Sequence, residues 1–192
     1  VIKPSGVSYE SMSADQMVVV SLDSGDVVEG DLKPSSDMPT HLHLYRTFEK
    51  INGIVHTHSL YASVWAQARR DIPAMGTTHA DYFYGDVPCT RPLQKHEIEN
   101  DYEANTGKVI VEKFNSIDPM EMPAVLVAQH GPFTWGISPD KAVENAIVLE
   151  HVAELAINTY SLTGSMTSMN NTLLDKHFLR KHGKGAYYGQ SR

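Results

Sequence analysis

Cysteine is nearly absent from this chain. Cys89 is the only one in 192 residues, which excludes an internal disulfide and points to a reducing, cytoplasmic setting. Long apolar runs are missing as well. None approaches the roughly 18 residues that a membrane-spanning helix needs, and no signal-peptide pattern opens the sequence. Basic charge is in deficit, with 16 Lys and Arg against 23 Asp and Glu, for a net charge of −7. Nucleic-acid binders concentrate Lys and Arg on one face. Here the basic residues are scattered, apart from Arg180, Lys181 and Lys184 near the C terminus. Neither nucleic acid nor a membrane is therefore expected as a partner. Internal repeats are also missing. Against these absences stand 41% hydrophobic residues, 20% charged residues and ten histidines. The first two figures describe an ordinary globular chain, long enough for one domain over residues 1–192. The histidines are the unusual count.

Local pattern predicts an α/β fold. "QMVVVSLDSGDVVEG" reads as a β-hairpin, with Met17–Leu22 and Asp26–Glu29 around an Asp23-Ser24-Gly25 turn. In "KPSSDMPTHLHLYRTFEKI", Pro39 lies near a helix start and Leu42, Tyr45 and Phe48 recur at helical spacing. "GIVHTH" reads as a short strand, and Ser59 can cap a helix "LYASVWAQARR" that stops before Pro73. "MPAVLVAQHG" reads as an apolar strand that leads through "PFTWGIS", taken as a connection. A helix follows from Asp140 to about Thr159, with Ser138 as N-cap and Pro139 at N1. Its expected buried stripe is Ala142, Val143, Ala146, Leu149, Val152, Ala153 and Ala156, and Gly164 follows its end. "TLLDKHFLRKHGKGAYYGQSR" begins as an amphipathic helix and ends as a Gly-rich aromatic tail. Helices covering a largely antiparallel sheet fit this order.

Side chains two residues apart on a strand share a face. His56 and His58 then converge with Cα atoms about 6–7 Å apart, suited to one metal ion. His41 and His43 have the same spacing within a helical pattern, so they point to nearly opposite sides and are poor candidates for a shared ion. A catalytic zinc site uses about three protein ligands and one open position. His130, at a strand end before Gly131, is the best third ligand. Asp37 is the best carboxylate, in competition with a plain N-cap role. His79 and Asp81 form a further i, i+2 pair that competes for ligand roles. "KPSG" (residues 3–6) and "KPSS" (residues 33–36) repeat a Lys-Pro-Ser pattern whose hydroxyls and N–H groups can cradle a phosphate.

Taken in order, "KPSGV", "KPSSDMPTHLHLY", "IVHTHS", "THADYFYGDVPCTR", "AQHGPFTWG" and "AYYGQ" resemble the class II aldolase/adducin family, and within it the L-ribulose-5-phosphate 4-epimerase branch. The resemblance runs over essentially the whole chain. It begins after an N-terminal helical segment of the family, so one substrate-contacting Asn of that segment is not located here.

The resemblance implies a three-layer α/β/α domain on a largely antiparallel sheet, assembled as a homotetramer with active sites between subunits. It implies Zn²⁺ held by Asp37, His56, His58 and His130, with Mn²⁺ or Co²⁺ able to substitute. Ser5, Gly6, Ser35 and Ser36 would bind the phosphate of a sugar phosphate. Asp81 and Tyr188, the latter from an adjacent subunit, would be the two acid/base groups. The implied reaction interconverts L-ribulose 5-phosphate and D-xylulose 5-phosphate. C4 is not acidic, so inversion proceeds by breaking and remaking the C3–C4 bond, with a Lewis acid stabilising the charge that develops. Two alternatives stand beside it. One is a sugar-phosphate aldolase of the L-fuculose-phosphate type. That branch resembles a Glu where this chain has Asp37, one methylene shorter and better suited to ligation alone. The other is a non-catalytic adducin-like scaffold, which would have no need of this set of histidines, carboxylate and tail tyrosine.

Overall fold

A computed structural model of the chain describes residues 1–189. In chain order it forms β1 (Val19–Val20), β2 (Val27–Glu29), α1 (Met38–Thr47), β3 (Gly53–His56), α2 (Leu60–Ala68) and α3 (Thr77–Ala80). Then follow α4 (Lys95–Glu99), α5 (Tyr102–Lys113), β4 (Ala124–Val127), β5 (Gly131–Gly136), α6 (Pro139–Thr163) and α7 (Asn171–His182). The residues gather into two compact units, Val1–Glu49 with Leu93–Val111, and Lys50–Pro92 with Glu112 onward.

In the first unit β1 and β2 pair antiparallel, as the hairpin pattern predicts, although the ladder is shorter than expected. The helix α1 starts after Asp37 with proline in its first turn. Its buried residues are Thr40, Leu42 and Leu44 rather than the Leu42–Tyr45 stripe; Phe48, just past its end, is buried as expected. The reason is the neighbour on that side. Thr40 donates its hydroxyl to the Glu103 carbonyl of α5 at 2.5 Å, and α5 approaches so closely that a Cβ on Gly107 would lie 2.8 Å from His43 Cβ.

The second unit is built on a three-stranded antiparallel sheet ordered β3-β5-β4. His56 pairs with Phe133 on one side, and Val125 pairs with Phe133 on the other. The central strand is the segment expected to be a connection. Gly and Pro in "GPFTWG" argue against a strand interior, yet all six residues of β5 are buried. Pro132 is tolerated because the β3 ladder ends one residue earlier, at His56 opposite Phe133. Burial of Trp135, Phe133, Leu126 and Leu149 contributes on the order of 1.5–3 kcal/mol each, which offsets the poor local propensity.

α6 lies along this sheet. Its side chain Asn145 donates to the Trp135 carbonyl at 2.8 Å, and Thr134 donates to the Ala142 carbonyl at 3.0 Å. Ser138 caps it through Lys141 N–H, and Gly164, at φ +67, turns the chain out of it. These ends agree with the sequence, and the helix runs four residues further than expected, to Thr163 rather than Thr159. Ala142, Leu149, Val152, Ala153 and Ala156 are buried, whereas Val143 is 48% exposed and Asn145 takes the place assigned to it. The cause is that amide bond to the sheet, which turns the helix toward Asn145. Among the described residues, no helix is long and apolar enough to cross a membrane.

Candidate active site

Three elements of the second unit bring His56, His58 and His130 together. Their ligand-capable atoms all lie within 4.8 Å of one another. The ring centroids are 5.0 Å apart for His56 and His58, 4.8 Å for His56 and His130, and 5.0 Å for His58 and His130. The convergence expected on one strand has a somewhat different origin. His56 ends β3, while His58 lies beyond it in the link to α2. His130 is not a strand-end residue either. It sits in the turn between β4 and β5, after Gln129 at φ +62, with its N–H donating to the Val127 carbonyl.

The histidine donor set fits a divalent ion. His56 Nδ1 lies 2.9 Å from the Pro132 carbonyl, and a carbonyl only accepts, so Nδ1 carries the proton and Nε2 keeps its lone pair. Phe133 stacks on the same ring at 4.0 Å and fixes its plane. Nitrogen donors of this kind suit zinc and its neighbours in the transition series. Gly131 makes the approach physically feasible: a Cβ there would stand 2.7 Å from the Thr57 carbonyl oxygen and 3.1 Å from His58 Cδ2.

The competing histidines lie elsewhere. His79 is buried in α3, with Nε2 2.7 Å from the Gly85 carbonyl and its ring edge-on to Phe83. Burial pulls its pKa below the ordinary value. His41 and His43 are on α1 in the first unit, and burial draws His41 down to about 4. Asp37 is also in the first unit. It is the N-cap of α1 but makes no side-chain capping bond, so the helix does not consume its carboxylate. Ser35 Oγ lies 3.4 Å from Asp37 Oδ2.

The two Lys-Pro-Ser turns, far apart in sequence, are paired. Ser5 N–H donates to the Lys33 carbonyl and Ser35 N–H to the Lys3 carbonyl, both at 2.9 Å, with Pro4 opposite Pro34. Ser5 and Gly6 are thereby set beside Ser35 and Ser36, with Ser35 buried and the other three exposed.

A second cluster in the second unit surrounds Asp81, at the end of α3. Its carboxylate accepts from His177 Nδ1 at 3.0 Å, Arg180 Nη2 at 3.0 Å and Lys181 Nζ at 3.1 Å. Its main-chain carbonyl accepts from His182 Nε2 at 3.0 Å. Burial by itself raises the Asp81 carboxyl, but the bonds from His177, Lys181 and Arg180 outweigh it and hold the pKa below the usual value. Tyr188 joins through the cations. Arg180 and Lys181 each lie 4.7 Å from its ring centroid, in the same chain. Sequence reading missed His177 altogether and treated Arg180 and Lys181 as a generic basic cluster. Their spacing at i, i+3, i+4 on a helix, which places all three on one face, was the available signal.

The family profile described as "Class II Aldolase and Adducin N-terminal domain" matches residues 1–157. The chain belongs to the class II aldolase/adducin family. Solved structures of similar fold include an L-fuculose 1-phosphate aldolase at 24% identity, covering 91% of this chain and 76% of that one with a TM-score of 0.74. YgbL from Klebsiella pneumoniae, provisionally described as an aldolase/epimerase/decarboxylase, is 25% identical over 91% of this chain and 79% of its own, with a TM-score of 0.69. An L-fuculose 1-phosphate aldolase from Glaciozyma antarctica PI12 is 17% identical over 96% and 68%, with a TM-score of 0.74. The fold is thus the α/β, antiparallel-sheet fold of class II aldolase type that the sequence motifs imply.

Proposed function

We propose that this class II aldolase/adducin protein is an L-ribulose-5-phosphate 4-epimerase, a zinc-dependent isomerase acting on a sugar phosphate in the cytoplasm. The observation that carries the reading is the joining of Asp81 and Tyr188 through one pair of cations, in a chain that also assembles three histidines. An epimerase needs a proton handler on each side of a carbonyl that turns over, whereas an aldolase lets the aldehyde go.

His56, His58 and His130 would hold the ion, with Asp37 as the fourth ligand assigned by sequence resemblance. A bound Zn²⁺ supplies a Lewis acid for negative charge developing on the substrate's oxygens. The chain's own residues do the rest. Asp81, kept ionised by its cations, accepts the C4 hydroxyl proton as the C3–C4 bond breaks. Ser5, Gly6, Ser35 and Ser36 hold the phosphate of the two-carbon aldehyde, so it turns its other face without escaping. Tyr188 donates a proton to the aldehyde oxygen as the bond re-forms with inverted configuration. Because Tyr188 rests on the cations that bind Asp81, the two travel together. If one serves a neighbouring subunit's histidines in a homotetramer, so does the other. Residues 1–192 acting as a single domain belongs to the same proposal.

The test is to incubate the protein with L-ribulose 5-phosphate. Accumulation of D-xylulose 5-phosphate supports the epimerase. Release of dihydroxyacetone without epimer rejects it and favours the second reading, a sugar-phosphate aldolase. That second reading draws on the likeness to proteins named L-fuculose 1-phosphate aldolase, and cleavage of L-fuculose 1-phosphate would support it. A protein that purifies without stoichiometric metal would instead point to a scaffold.

A further inference from the structure

The segment carrying His58 has no strand ladder of its own. β3 ends at His56, and α2 begins at Leu60, so Thr57, His58 and Ser59 form a short bridge between two anchored elements. A ligand in such a bridge is only as well placed as its anchors. The first anchor is the ladder to β5. The second is the first turn of α2, where an N-cap side chain would ordinarily bind the free N–H groups.

Ser59 occupies that N-cap position but makes no side-chain capping bond. A residue from another element does so. The Glu150 carboxylate, on α6, accepts from Tyr61 N–H at 2.7 Å through Oε1 and from Ala62 N–H at 3.0 Å through Oε2. One carboxylate therefore satisfies two of the four orphan donors, in the charge-assisted form that helix N-termini favour. Its own position is set by α6, whose neighbouring Leu149, Val152 and Ala153 are buried. Trp65 Nε1–H donates to the Ala153 carbonyl at 3.1 Å, fixing α2 on α6 one turn further along.

We infer that Glu150 is a positioning residue for the metal-ligating loop, pinning the first turn of α2 to α6 and so holding the His58 imidazole against those of His56 and His130. The inference rests on the metal-centre reading and deepens it. Glu150 acts through two backbone N–H groups, Tyr61 and Ala62, at the end of the bridge. Without it α2 keeps its packing against α6 through Trp65, but its first turn frays and Ser59 and His58 gain freedom. The consequence falls on the affinity and geometry of the metal site ahead of global stability.

The experiment titrates the full-length apoprotein with Co²⁺, followed by its visible bands, and measures Zn²⁺ affinity by competition with a chromophoric chelator. The wild-type protein is expected to take one ion per chain. Glu150→Ala is expected to keep that stoichiometry and its far-UV circular dichroism, with affinity about tenfold weaker and a changed Co²⁺ spectrum. Glu150→Gln keeps the shape but only one of the two oxygen acceptors, so it is expected to recover only part of the loss, whereas a merely space-filling role would restore wild-type affinity. Arg91→Ala removes the Arg91–Glu112 pair elsewhere in this unit and should leave metal affinity unchanged. Wild-type affinity and spectrum in Glu150→Ala, beside a stoichiometric wild-type protein, overturn the positioning role while sparing the metal centre. A wild-type protein that binds no Co²⁺ overturns both. If Glu150→Ala does not fold, unchanged affinity in Glu150→Gln overturns the inference.

Discussion

The histidine trio and the Asp81 cluster lie in the same compact unit but are held by different physics. The trio is a product of the main chain. Strand register sets His56, a tight turn sets His130, and a two-ended bridge sets His58, while Pro132 and Phe133 orient the first ring. Asp81 is held by charge. His177, Arg180 and Lys181 close on one carboxylate from a helix some 96 to 100 residues away in sequence, and Tyr188 lies on the Arg180 and Lys181 cations. Backbone scaffolding is insensitive to salt and pH but intolerant of added atoms. Ion pairing tolerates small steric changes and responds to protonation. The two clusters should therefore fail under different perturbations.

The largest effect falls on the trio itself. His58→Ala should abolish stoichiometric Zn²⁺ binding and activity together, leaving the far-UV circular dichroism intact; metal analysis showing full occupancy in that variant would contradict the shared site. Next comes the charge cluster. Tyr188→Phe should retain metal but reduce epimerisation by roughly 10²–10⁴-fold, the range expected for a lost proton handler. Unchanged turnover would remove Tyr188 from the reaction. Together these variants separate metal binding from proton transfer, which the different construction of the two clusters requires.

Smaller and more selective is Gly131→Ala. A single methyl would stand 2.7 Å from the Thr57 carbonyl, a backbone atom that cannot swing aside. The expected result is a loss of about 1–3 kcal/mol of stability and weaker metal binding, read by thermal unfolding and chelator competition. The corresponding probe of the charge cluster is acid. A carboxyl whose folded pKa is depressed contributes stability that is fully present above the unfolded value of 3.8 and is lost as pH falls through the lower folded value. Asp81→Asn should cost about 1.5–3 kcal/mol at neutral pH. The gap in unfolding midpoint between it and the wild-type protein should then close as pH drops below about 3.8. A gap that persists undiminished at pH 2 would mean that the ion pairs are not what holds α7.

What the sequence made legible divides along the same line. Features carried by neighbours in the chain were readable, such as the Ser138-Pro139 start of α6, its Gly164 stop and the hairpin around Gly25. The H-x-H pair was readable as well, although a strand was credited with holding His58 where a bridge does so. The central strand β5 was not, because Gly and Pro mask a segment whose burial is decided by β3 and β4. The three donors on Asp81 and the carboxylate capping α2 depend on partners about 90 residues or more distant, and no local pattern states which acid meets which donor. Pairing of the two Lys-Pro-Ser turns lay between these extremes. The repeat was visible, but only a fold could set Pro4 opposite Pro34.

The smallest expected effect is the sharpest check on the contrast between spacing and scaffolding. His41 and His43 have the spacing of His56 and His58, yet α1 carries both, so successive imidazoles rotate roughly 200° apart instead of converging. His41 is mostly enclosed, and burial lowers its pKa to about 4 despite the opposing pull of Asp37, so near neutrality it is an uncharged packing residue. His41→Ala should therefore leave Zn²⁺ stoichiometry unchanged and lower stability by about 1–3 kcal/mol through lost packing. Metal analysis beside a thermal melt reads both quantities in one preparation. Loss of zinc in this variant, with the fold retained, would mean that spacing counts for more than the element bearing it.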